Sequence, residues 1–180
     1  MELHTIPDRI LKDLKFTGTL PGPLFPGCPN SLRIPIGGKE EIYLADHRMP
    51  SGSYVENGVQ KALSVLHALR EPPDLLQIFC DPLEALEDLP RLRLPAPDLS
   101  DSTGLFWKLS GPAEILIPLL REIIRSELSP AGMEWLCGTV YLANSRDGIL
   151  FHLYDDRGAD LAFRDPAALR SFRENFSECR

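Results

Sequence analysis

The stretch FHLYDDRGADLAF, Phe151 to Phe163, carries the strongest fold signal in the chain. Apolar residues alternate up to Tyr154, the polar run Asp155, Asp156, Arg157 and Gly158 follows, and alternation resumes at Ala159. A period of two marks a strand, because successive side chains point to opposite faces of a sheet. The polar run between reads as a turn: aspartate bonds its own backbone, and Gly158 is expected to supply a positive φ. The stretch is thus two antiparallel strands joined tightly.

The pattern continues on both sides. Thr139 to Asn144 reads as a further strand, with a turn over Ser145 to Gly148 that ends in Asp-Gly. Asp165-Pro166 opens a helix with a cap and a proline at its first position, and Leu169, Phe172 and Phe176 share one face. Residues 139–163 are therefore expected to form a three-stranded meander, closed by a terminal helix over 166–176.

Upstream the elements are more mixed. Residues 1–30 read as a short amphipathic helix, with Ile6, Ile10, Leu11 and Leu14 near one face, followed by a Pro/Gly-rich connection. SLRIPIGG is a strand whose Pro35 suits an edge or a bulge. EEIYLADHR is expected to pair with it as a hairpin around Gly37-Gly38. A helix opens at Ser53, where Ser53 and Glu56 match a capping box, and Val55, Val59, Ala62, Leu63, Leu66 and Leu69 form its apolar stripe. Pro72-Pro73 stops it. Leu75 to Cys80 reads as a buried strand, and Asp81-Pro82 opens a helix that ends near Pro90. RLRLPAPDLSDSTG is a surface loop and LFWKLS a strand. Ser110 is expected to cap a helix to Leu128, with Pro118 kinking it or marking a 3₁₀ start. Strands joined by tight turns beside amphipathic helices predict one α+β domain over 1–180, with a mostly antiparallel or mixed sheet packed by helices.

Composition bounds the function. The 180 residues are 43% hydrophobic and 25% charged, which suits one globular domain with a proper core. No apolar run is long enough for a membrane span, and the N-terminus lacks the apolar centre of a secretory signal. The four cysteines, Cys28, Cys80, Cys137 and Cys179, have neither zinc-site nor disulfide-scaffold spacing. They read as reduced thiols of a cytoplasmic protein. The net charge is −7, and Glu71 to Gly104 carries −6 of it, with eight acids against two bases and six of the 17 prolines. Such a segment repels nucleic acid and attracts a basic protein. Asp81, Glu84, Glu87, Asp88, Asp98 and Asp101 are the expected partner-binding residues.

The Asp155-Asp156 turn admits two readings. If the strand alternation ran on, Asp156 would join His152 and Tyr154 on one face, near Asp160. A cluster of His152, Asp155, Asp156 and Asp160 has the chemistry of a divalent-metal site or of a general acid and base. Against this, the aspartates bond a turn, Arg157 pairs with either, and no HExxH, EF-hand or P-loop spacing is present. No G-x-S-x-G elbow occurs. Neither a metal nor a cofactor is expected.

Tyr154, Asp155, Asp156, Arg157 and Gly158, followed by an apolar strand and a terminal helix, resemble the C-terminal half of a bacterial family called domain of unknown function 3885. Asp147-Gly148 and His152 sit where that family's preceding hairpin falls, and SLRIPIGG with the Ser53 helix resembles its early strand and helix. The resemblance implies one α+β domain and a bacterial source, and no activity. The function expected from the residues is that of a non-enzymatic binding protein, in its sharpest form an immunity protein facing a basic antibacterial toxin. The alternative is an enzyme, such as a metal-assisted hydrolase, at Asp155-Asp156. Oligomeric state is left open.

Overall fold

Alternating apolar segments from four parts of the chain meet in one antiparallel sheet. The computed structural model describes residues 30–38, 42, 51–69, 75–81, 89–94, 107–128, 139–144, 146–154 and 156–176. The strands are β1 (Ser31–Pro35), β2 (Leu75–Asp81), β3 (Trp107–Ser110), β4 (Thr139–Asn144), β5 (Ile149–Leu153) and β6 (Gly158–Phe163). Their order in the sheet is β1-β6-β5-β4-β2-β3, with every pairing antiparallel. The expected meander β4-β5-β6 forms its centre. β1 is the outermost described strand on one side, a position that tolerates Pro35, which has no N–H to offer a further neighbour.

Three α-helices occur among the described residues: α1 (Gly52–Leu69), α2 (Ile117–Leu128) and α3 (Pro166–Asn175), with a 3₁₀ turn over Ala113–Leu116 leading into α2. Val140, Leu142, Phe151, Leu153, Leu161 and Phe163 of the sheet bury themselves against Val59, Leu63 and Leu66 of α1, Leu120 and Ile124 of α2, and Phe172 of α3. Each such side chain stabilises the fold by about 1.5–3 kcal/mol when removed from water. The opposite face is buried as well: Tyr141, Ala143, Leu150 and Ala162 are all nearly inaccessible, together with His152 and Asp160.

Several boundaries differ from the expectation. The Val55 N–H donates to the Ser51 carbonyl at 3.1 Å, so Ser51 holds the cap position of α1 and Ser53 lies inside the helix. Glu56 does not close a capping box, because its carboxylate meets Arg121 of α2 at 2.8 Å. Ser110 ends β3, and Pro112, which offers no side-chain bond, precedes the 3₁₀ turn. Pro118 sits in the first turn of α2, where its missing N–H costs nothing, and the 3₁₀ turn gives way to the α-helix just before it. Asp81 ends β2, residues 82–88 of the helix expected after it lie outside the described residues, and residues 89–92 form a short 3₁₀ turn. The expected surface loop is rooted at its start, since Leu92 and Leu94 join the core, as does Leu89 just before it. Arg93 has a positive φ of 54° in that turn. At the C-terminus, Asp165 caps α3 as expected, its carboxylate accepting from the Ala167 N–H at 2.8 Å. The N-terminal helix and connection, the EEIYLADHR strand apart from Ile42, and residues 95–106 lie outside the described residues. No helix among those described is long and apolar enough to cross a membrane.

Candidate functional site

The turn between β5 and β6 is held from the edge of the sheet. Past β1, the N–H groups of Ile36 and Gly37 donate to the Arg157 carbonyl at 3.0 and 3.5 Å, extending the β1–β6 pairing around the turn. The Tyr154 N–H closes it on the Gly158 carbonyl at 3.3 Å. Asp156 then points towards the helices, where Tyr54 Oη of α1 donates to its Oδ2 at 2.7 Å in a buried bond. Gly37 leaves room for this pair, because a Cβ there would lie 3.1 Å from the Tyr54 hydroxyl and 3.2 Å from the Asp156 carbonyl oxygen. Gly158 is not at positive φ, unlike Gly148 at 68°. It is glycine for another reason: an added Cβ would run into the Tyr154 hydroxyl and lie 3.1 Å from the Ile34 carbonyl oxygen.

His152 faces the other side of the sheet. In register, Arg33 lies across from Asp160, and Asp160 lies across from His152, so three strands contribute to one transverse row. Arg33 Nε donates to Asp160 Oδ1 at 3.0 Å, and the Tyr141 ring lies 4.8 Å from the His152 ring. The Arg33 guanidinium also covers Tyr154, 5.1 Å from the ring centroid. Asp160 is wholly buried and His152 nearly so, with Asp160 Oδ2 and His152 Nδ1 shut off from solvent. A buried carboxylate is costly unless paired, and Arg33 supplies the pairing charge from the sheet edge.

The expected cluster of His152, Asp155, Asp156 and Asp160 therefore divides. His152 and Asp160 meet across β5 and β6, Asp156 bonds to α1 on the helical side, and Asp155 lies outside the described residues. Strand parity fails at Asp156 because the chain turns before it. Among the described residues no three His, Cys, Asp or Glu side chains gather as metal ligands. Sequence reading missed Arg33, Tyr54 and Tyr141. Only the register of β1 against β6 brings Arg33 to Asp160, and short-range periodicity carries no such signal.

Of the acidic residues expected to bind a partner, Asp81 lies across from Thr139 at the end of β2, while Glu84, Glu87, Asp88, Asp98 and Asp101 lie outside the described residues. The frame around them is defined. β2 ends at Asp81, and its Ile78 pairs with Trp107 of β3, the outermost described strand on that side.

These features define an α+β domain with one antiparallel sheet, helices on one face and a buried polar row on the other. The chain belongs to the family Domain of unknown function (DUF3885), whose model matches residues 10–180. The match extends well beyond the C-terminal turn that resembles the family most clearly. No curated protein and no solved structure matches the chain.

Proposed function

We propose that this protein is a non-enzymatic binding domain of the bacterial cytoplasm, and most specifically an immunity protein that neutralises a basic antibacterial toxin. The observation that carries this reading is the mounting of the acidic segment. Glu71 to Gly104 holds −6 of the net charge of −7. Within it Leu89, Leu92 and Leu94 join the core and β2 pairs with β3, which follows the segment at one side of the sheet. Acidic charge concentrated in one segment accelerates encounter with a basic partner. The enzymatic alternative at Asp155-Asp156 has less support, since the Asp156 carboxylate is taken up by Tyr54 and His152 lies across the sheet.

The test is affinity capture from a bacterium that encodes the chain. Wild type is compared with a variant carrying Asp81→Asn, Glu84→Gln, Glu87→Gln and Asp88→Asn. A single basic partner, lost in the variant, is expected, and coexpression with wild type but not the variant should restore growth of cells making that partner. Capture of no basic protein, or growth rescue that ignores the four substitutions, would overturn the reading.

A further inference from the structure

We draw no further inference here: the strongest candidate, the cleft between the C-terminal end of α1, the β4–β5 turn and α3, carries nothing, because Arg164 already donates to the Arg146 carbonyl, Asp147 and Asp165 line the same space as the two arginines, and nothing in the structure shows what would fill it.

Discussion

Tyr54 Oη of α1 donates to Asp156 Oδ2 at 2.7 Å, tying the first described helix to the turn before β6 across 102 positions of sequence. Asp156 is only 8% exposed, so its carboxylate has little water to replace a lost donor. A hydrogen bond to a charged group contributes about 1.5–3 kcal/mol. Tyr54→Phe should lower the unfolding free energy by about that amount in urea, at unchanged m. Asp156→Asn should cost less, because the amide oxygen still accepts. A Tyr54→Phe cost within a few tenths of a kcal/mol would show that the bond is not a structural tie.

Gly158 and Tyr154 are matched by contact. Adding a methyl with Gly158→Ala drives it into the Tyr154 hydroxyl, 3.0 Å from the ring carbon that bears it. Overpacking of this kind costs about 1–3 kcal/mol, which lowers Tm by about 2–12 °C in a chain of this size. Tyr154→Phe removes the hydroxyl, so Gly158→Ala should cost visibly less in that background. Thermal unfolding of the four proteins checks this, and an equal Tm loss in both backgrounds would refute the contact.

The two glycines of the C-terminal turns show what the sequence carries and what it does not. β5 and β6 were legible to within a residue, because alternation is a local property of each strand. α3 was legible from Asp165-Pro166, a cap whose donor lies two residues away. The Asp-Gly of the β4–β5 turn was legible for the same reason, and Gly148 has the positive φ that such a turn requires. Gly158 was assigned to its position correctly and to the wrong cause, since its constraint comes from the Tyr154 ring packed upon it. Glu56 satisfied a local capping pattern, yet Arg121, 65 positions away, takes its carboxylate. The polar row was the least legible part, because Arg33 and Asp160 are 127 positions apart and meet only through strand register.

That row carries its own prediction. Asp160 is fully buried, while the Arg33 side chain remains 49% exposed at the sheet edge. Removing the cation takes a pairing charge from a buried carboxylate, so Arg33→Gln should cost about 1–3 kcal/mol, less than for a pair with both members buried. In an Asp160→Asn background the same substitution should cost much less, since no carboxylate is left to strand. Urea is the right denaturant for this cycle, because guanidinium chloride screens the pair. Equal costs in both backgrounds would mean that the 3.0 Å contact contributes nothing to stability.

Glu56 and Arg121 join α1 to α2 at 2.8 Å, with both side chains partly exposed, at 45% and 39%. Hydrogen bonds from Arg121 and then from Gln60 hold the Glu56 carboxyl below the usual carboxylate range, against a smaller opposing effect of burial. A depressed acid binds fewer protons in the native than in the unfolded state, so its stabilisation is present above the unfolded value. It fades as pH falls through the native one. Solvent screening limits the contribution to about 0.2–1 kcal/mol. Glu56→Gln should therefore lose that amount at neutral pH and match wild type once the medium is acid enough to protonate Glu56 in the native protein. Arg121→Met should flatten the same pH dependence and make Glu56→Gln nearly neutral in its background. Urea unfolding across the acid range provides the comparison, and a Glu56→Gln deficit that persisted undiminished in acid would assign the cost to packing rather than to charge.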